Sequence, residues 1–541
     1  MFINFSEIAG HNNIFLDYLY EFENVEKYYK IDFRKTQNYN NVFDNLVNQK
    51  RPHRKLVAHI ISNQYEELKP SKQTQLNIRA LEEKNTVAIT TGQQLGIMGG
   101  PLYTLYKIIT AIKLASSLKN QYDGYNFVPV FWLEADDHDF DEVTSFNFID
   151  KNNQLSNLKY DDGLEEDINR GGVGSIPFNR NINEVFKLLN ETLRGTEFTD
   201  ELLDLMYSYY KENATFKSAF KKLIFRLFDE YGLVIFDPQD RNVKKLLTPV
   251  FKNEIINFRE HANLAVERSA ELEDLYHAQV KVKPINMFIS DETGRYLLEP
   301  VDDHFRLKGK KTKYSLDDIL ELLDSNPGNF SPNVLLRPIC QDYLLPTGMY
   351  IGGPGEISYF AQVIPLYDMF NVVQPILYPR SSATIVEKSV LKVMEKFDLK
   401  YQDFFYGGIS IKDKIIRSLE EIEVKKEFNN TRNEIELTID KLKEKLFAVD
   451  PTLKELANKS SLKIEQILNQ LEQKTEKAQE RQYETTLNQI GKAVDFIMPN
   501  SNLQEREINF IYFANKYGLD FIKLLMNELT INKFEHQVIE L

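Results

Sequence analysis

The chain has 541 residues and sets 66 Lys and Arg against 80 Asp and Glu, a formal net charge of −14 at pH 7. With 42% hydrophobic and 12% aromatic residues it can build a sizeable core, which excludes wholesale disorder, and its length suggests about two to four domains. The acidic balance disfavours non-specific nucleic-acid binding, and a single cysteine, Cys340, excludes an intramolecular disulfide and a Cys-based zinc cluster.

The first ten residues, MFINFSEIAG, lack a basic segment followed by an apolar run, and no uncharged stretch of about 20 apolar residues occurs. No signal peptide or membrane span is expected, which reads as a cytoplasmic protein. Residues 1–80 read as helical and polar-rich, with Tyr18, Tyr20, Phe22, Tyr28 and Tyr29 supplying apolar surface and Ser71 placed to cap a helix. Thr86–Thr90 is a short β-branched strand. A turn-rich segment, Thr91–Pro101, follows, and Pro101 suits the first position of a helix running to about Leu118. Phe127–Leu133 is a second strand. Strand, Gly-rich turn, helix and strand make a βαβ unit with parallel strands and a right-handed crossover.

Further strands are predicted at Gly232–Phe236 and Val372–Leu377, and Leu335–Leu345 is another candidate. The α/β core then spans 81–150, 231–260 and 333–411, interrupted by insertions at 151–230 and 261–332. The second insertion holds a hairpin, Ile285–Ile289 and Arg295–Leu298 around a turn at Asp291–Gly294. Segment 412–498 has no glycine between Gly408 and Gly491 and one proline, Pro451. Ile435, Ile439, Leu442 and Leu446 follow a 4-3-4 spacing, as do Ile415, Leu419 and Ile422. A second helix, entered with Asp450 as cap and Pro451 as first residue, carries Leu453, Leu456, Ile464, Ile467 and Leu471. Two arms of roughly 50–65 Å must fold back as an antiparallel pair. Their apolar stripe asks for a second chain, hence a homodimer; the alternative is a hairpin satisfied by its own core. Residues 499–541 read as amphipathic helices docked on the core.

Four blocks carry the candidate chemistry. In the turn after the first strand, Thr91, Gly92, Gln93, Gln94, Gly99 and Gly100 precede a helix N-terminus, where free N–H groups and the helix dipole suit a nucleotide phosphate; the alternative is a tight structural connection. After the second strand come Glu134-Ala135-Asp136-Asp137-His138-Asp139. Trp132 and Asp136 are candidate substrate contacts, and Asp137 and His138 candidate bases; carboxylates here also suit Mg²⁺, and a solvated acidic loop is the alternative. Gly353, Gly355 and Glu356 open another helix, with Glu356 either binding a substrate ammonium or serving the helix dipole. Arg380, Ser381 and Ser382 follow the last strand, where Arg380 can chelate a phosphate bidentately, unless a serine merely caps a helix from Ala383. Cys340 reads as a small buried residue. No GxxxxGK[ST], GxGxxG, HExxH or Ser-His-Asp pattern occurs.

The blocks TTGQQLGIMGGPLYTLYK (90–107), PVFWLEADDHDFDEV (129–143), GMYIGGPGEISYFAQ (348–362) and YPRSSATIVE (378–387), with the helical hairpin behind them, resemble the cysteine ligase family of bacillithiol biosynthesis, BshC, across essentially the whole chain. The resemblance implies an α/β fold. Its Rossmann-like core would be similar to class I aminoacyl-tRNA synthetases, with two connective-peptide insertions and a C-terminal antiparallel α-helical coiled coil that makes a homodimer. It also implies the last pathway step, addition of L-cysteine to glucosaminyl-malate. By synthetase logic ATP and cysteine would form a cysteinyl adenylate, which the sugar amine would attack; ATP or ADP and Mg²⁺ are the expected ligands, and tRNA is not. Gly99–Tyr103 would stand where synthetases carry HIGH, without its histidine. Arg380-Ser381-Ser382 would stand in place of KMSKS, without a lysine until Lys388. Two rival readings are a non-catalytic nucleotide-binding assembly protein for bacillithiol enzymes and a transferase that uses no ATP.

Overall fold

A computed structural model describes residues 1–405, 411, 424–451 and 453–541. The chain forms two compact units, residues 1–385 with 499–541, and residues 386–498. In chain order the strands are β1 (Phe2–Ile3), β2 (Thr86–Gln94), β3 (Asn126–Glu134), β4 (Ser145–Ile149), β5 (Leu155–Lys159), β6 (Val234–Phe236), β7 (Met287–Asp291), β8 (Gly294–Val301), β9 (His304–Leu307), β10 (Lys313–Tyr314), β11 (Phe330–Pro332), β12 (Thr347–Gly352), β13 (Ile376–Pro379), β14 (Ser382–Val386) and β15 (His536–Glu540).

The organising sheet is parallel throughout, in the order β13-β12-β2-β3-β6. Numbered along the chain this is the doubly wound order 3-2-1-4-5, which reverses between β2 and β12. Parallel strands covered on both faces read as unbroken apolar runs, and residues 86–91 and 127–133 are buried throughout. The helix Leu102–Gln121 makes the β2–β3 crossover. Between β3 and β6 lie the β4–β5 hairpin and the helices Ile182–Thr192, Thr199–Tyr209 and Phe216–Phe228. Between β6 and β12 lies an antiparallel sheet, β10-β9-β8-β7-β11, whose central hairpin turns with Asp291 opposite Gly294, as the Asp-Glu-Thr-Gly turn predicts.

Several local expectations are corrected. Thr91–Gln94 are strand rather than turn, because the β2–β3 ladder continues in register to Gln94 opposite Glu134. Pro101 is the extended residue before the helix, with ψ 159°, because it bridges to Asn509. Leu335–Leu345 is not a strand: Asn333 Oδ1 accepts from the N–H groups of Leu335 and Leu336, and Pro338 sits in the first turn of the helix Arg337–Leu344. The strand expected at Val372–Leu377 begins at Ile376, beyond Pro375, which has no N–H for a ladder. No helix starts at Ala383; Thr384, Ile385 and Val386 lie in β14, paired with the C-terminal strand β15. β15, missing from the helical reading of 499–541, also pairs with β1, which joins the two ends of the chain.

In the second unit the helices Val424–Val449 and Leu453–Ile497 run antiparallel, and Arg432 reaches Glu472 and Asn469 (2.8 Å) across them. Ile435, Ile439, Leu446, Leu453 and Ile464 are half-buried between the two, while Leu442, Leu456, Ile467 and Leu471 stay exposed. Asp450 and Pro451 form the turn, and the second helix starts at Leu453 rather than Pro451. The spacing of Ile415, Leu419 and Ile422 lies outside the described residues.

His536 locks β14 to β15. It is fully buried, and its ring nitrogens meet Ser382 Oγ at 2.7 Å and Thr384 Oγ1 at 2.8 Å. Burial, with Glu505 opposing, pushes its pKa down to about 4. The unfolded chain protonates this histidine near pH 6.5 and the folded one does not. Its contribution is therefore complete above pH 6.5 and declines as pH falls from 6.5 towards 4. Between those limits the urea-unfolding free energy of wild type should drop by roughly 3 kcal/mol more than that of His536→Asn.

Candidate functional site

The carboxyl ends of β2, β3, β12 and β13 open onto one cavity of about 690 Å³ at the point where the strand order reverses. At the end of β2, Gly92 lies opposite Trp132, and a Cβ at Gly92 would come within 3.1 Å of Trp132 O and 3.2 Å of Glu134 Oε1. Glycine here keeps the two strand ends close. Lys107, one buried cation in an otherwise apolar stretch of helix, points back to the same place. Its Nζ donates to Gly92 O (2.9 Å) and Gln93 Oε1 (2.8 Å) and pairs with Glu356. Glu356 sits in the first turn of the helix Pro354–Met369, accepting from Gly353 N–H at 2.9 Å and from Tyr350 Oη at 2.5 Å. Burial opposes charge on Glu356, yet Lys107 and these donors hold its carboxyl below the usual range; burial moves Lys107 down against the pull of Glu356.

The end of β3 carries the second group of charges. Glu134 is half-buried beside Arg337, whose Nε lies 3.1 Å from Oε1; desolvation outweighs that cation and pushes the carboxyl up to about 7. Asp136 pairs with the buried Lys244, and Lys244 and Arg295 together overcome burial and keep it low. Gln94 donates to both Asp137 and Glu142. Arg295 lies 3.7 Å over the ring of Phe288 and donates to His138 Nδ1 at 3.0 Å; burial and this guanidinium lower the His138 pKa. Arg380 follows β13 and is itself buried, donating to Glu505 (2.6 Å) and Ser381 O (2.9 Å).

The cavity brings together Gly92, Gln93, Gln94, Trp132, Asp136, Asp137, His138, Gly353, Gly355, Glu356 and Arg380. It does not include the remaining predicted contacts. Thr91 is buried in the sheet, donating to Ile351 O at 3.0 Å. Gly99 and Gly100 face the protein: Gly99 N–H donates to Tyr210 Oη at 3.1 Å, and Gly100 O accepts from Asn509 at 2.8 Å. Ser381 bonds Thr530 O, and Ser382 faces His536. Sequence reasoning passed over Lys107, Lys244, Arg295 and Arg337 as site residues. A lone lysine in an apolar helix was a readable signal at Lys107; Arg295 looked like an ordinary hairpin charge. Basic side chains outnumber acidic ones in the lining, and Lys281, Lys283 and Arg506 have no carboxylate partner among the described residues. The indole N–H of Trp132 is buried and finds no acceptor there either.

A parallel sheet in this order, with a charged cavity at its switch point, defines a Rossmann-like α/β protein, here with a C-terminal helical region. The model of the bacillithiol biosynthesis BshC N-terminal Rossmann-like domain matches residues 1–381, and that of the BshC C-terminal coiled-coil domain matches residues 383–541. The chain belongs to the BshC family of bacillithiol biosynthesis. It is 33% identical to the "Putative cysteine ligase BshC" of Salinibacter ruber over 98% of this chain and 97% of that protein. Against the protein of the same name from Chlorobaculum tepidum the identity is 32%, with the same coverage. A solved structure described as a "putative arginyl t-RNA synthetase" from Campylobacter jejuni covers 85% of this chain and 98% of its own, at 10% identity and a TM-score of 0.22; at that score it carries no argument. Among the described residues no helix is long and apolar enough to cross a membrane.

The Lys107–Glu356 pair is nearly enclosed, with side-chain exposures of 4% and 19%. Lys107→Met leaves a buried carboxylate without its cation and should cost about 3–5 kcal/mol in urea unfolding. Adding Glu356→Gln should recover most of that loss.

Proposed function

We propose that this chain is a ligase that joins L-cysteine to the amine of glucosaminyl-malate, the last step of bacillithiol biosynthesis, through a cysteine acyl group activated by ATP. The observation that carries the reading is a cavity rich in lysine and arginine at the switch point of a sheet whose chain is acidic overall. A basic cleft in an acidic molecule concentrates anionic reactants, and both ATP and a malate glycoside are anions. Membership of the BshC family and relatives named as cysteine ligases support the reaction class.

On this reading Gly92, Gln93 and Gln94 lie along the nucleotide, with Lys281, Lys283 and Arg506 free to meet phosphate or carboxylate. Arg380, engaged by Glu505, positions the β13 edge and leaves direct phosphate contact to the free cations. Asp137 and His138 would orient the attacking amine. Mg²⁺ would arrive on the phosphates, within reach of Asp137 and Glu142, which fits an ion that keeps most of its oxygen ligands from substrate and water. Cysteinyl adenylate is the expected intermediate, and segments 151–230 and 261–332 take the place of the synthetases' connective peptides. A homodimer through the helical hairpin would cover the exposed Leu442, Leu456, Ile467 and Leu471.

Incubation with ATP, Mg²⁺, cysteine and glucosaminyl-malate should yield bacillithiol and AMP by mass spectrometry, and His138→Gln should lower kcat by about 10²-fold. Bacillithiol without nucleotide consumption would replace the ligase with a transferase. No product from the pure protein, with activity restored by another pathway enzyme, would favour the assembly role. Sedimentation velocity should give a dimer that Leu456→Glu with Ile467→Glu dissociates.

A further inference from the structure

We propose that Glu134 is the general base of amide formation, taking the proton from the substrate amine as that amine attacks the activated cysteinyl carbonyl. The assignment rests on the ligase reading above and adds the group that receives the proton.

The carboxylates of the cavity are not equivalent. Lys244 closes off Asp136, and Lys107, Tyr350 and Gly353 N–H surround Glu356. Asp137 accepts from Gln94 and from His138 N–H (2.7 Å). Glu134 and Glu142 each have one oxygen held and the other open, but Glu142 is exposed and held only by Gln94, whereas Glu134 is half-buried at the end of β3. Arg337 Nε fixes Oε1, and the rest of that guanidinium is committed to Gln341, Tyr350 and Tyr359. Oε2 has no donor among the described residues. Glu134 closes β3 on the carboxyl edge of the sheet, and the close approach of Gly92, where a Cβ would lie 3.2 Å from Oε1, confines the held oxygen.

The charged and titratable groups around Glu134 set its basicity. Arg337, from the helix Arg337–Leu344, favours the carboxylate. Asp136 and Asp137, just beyond β3, oppose it, as does Glu356 from the helix Pro354–Met369; Tyr359 on that helix is neutral. Burial sides with the three carboxylates, and the carboxyl titrates near neutrality, where a general base works best. His138, the other candidate, has Nδ1 occupied by Arg295.

The step balances without redox chemistry. The acyl donor is a mixed anhydride of cysteine with a phosphate. The amine lone pair forms the C–N bond at its carbonyl carbon, and the proton on nitrogen passes to Glu134 Oε2. The tetrahedral species then collapses, and the C–O bond breaks with its electron pair leaving on the phosphate.

Two measurements decide the matter. Infrared difference titration of wild type against Glu134→Gln should show one carboxyl titrating near pH 7; titration in the ordinary carboxylate range overturns the proposal, whether or not the protein makes amide. Wild-type kcat/KM for amide formation should rise with pH through about 7, as Glu134 loses its proton. Glu134→Gln, folded by circular dichroism, should lose that limb and about 10²–10⁴-fold in kcat, with the amine KM little changed; Glu134→Asp should keep the limb at reduced rate. A limb that survives in Glu134→Gln and vanishes in His138→Gln gives the role to His138. Absence of amide from wild type sinks the ligase reading, while the carboxyl titration still decides whether Glu134 is poised as a base.

Discussion

Charge held below the surface at the reversal of the sheet is the constraint on which the rest of this structure depends. A doubly wound sheet opens a crevice where neighbouring crossovers run to opposite faces, and here β2 and β12 bound it. Every ionised group placed in that crevice loses hydration and must be repaid by a partner of opposite sign or by hydrogen bonds. The pairs Lys107–Glu356, Arg337–Glu134, Lys244–Asp136 and Arg380–Glu505 meet that demand from seven different stretches of chain. They tie β2, β3, β12 and β13 to their helices and to the C-terminal segment, so the site and the fold are stabilised by the same interactions.

The network also sorts the charges by what remains available. Arg380 and Glu356 were the two most conspicuous charges in the motifs, and both are committed within the protein. Among the described residues, groups left with capacity include Glu134 Oε2, the Trp132 indole N–H and the cations Lys281, Lys283 and Arg506. A cleft built this way presents rigid partners where position matters and free charge at its mouth, where anions are gathered.

The sequence by itself determined the βαβ start, the four blocks, the antiparallel helical hairpin and the family, because each depends on local patterning or on residues close in the chain. Gly92, Gln94 and Asp137 could be placed beyond strand ends, and Glu356 in the first turn of a helix, for the same reason. Tertiary structure alone decided the rest. β12 was hidden because Gly348, whose Cβ would meet Val87 Cγ1 at 2.3 Å, interrupts the apolar run that marks a strand. β14 read as a possible helix start until β15, some 150 residues away, supplied its ladder. Gly99, Gly100, Ser381 and Ser382 had the right chemistry for a phosphate, but Tyr210, Asn509, Thr530 and His536 arrive from distant segments to take their hydrogen bonds. Arg295 and Arg337 became part of the cavity only when the second antiparallel sheet and the helix before β12 folded over it. Periodicity reports which face of an element is buried; which partner buries it, and which charges survive unpaired, is fixed by contacts between residues hundreds of positions apart.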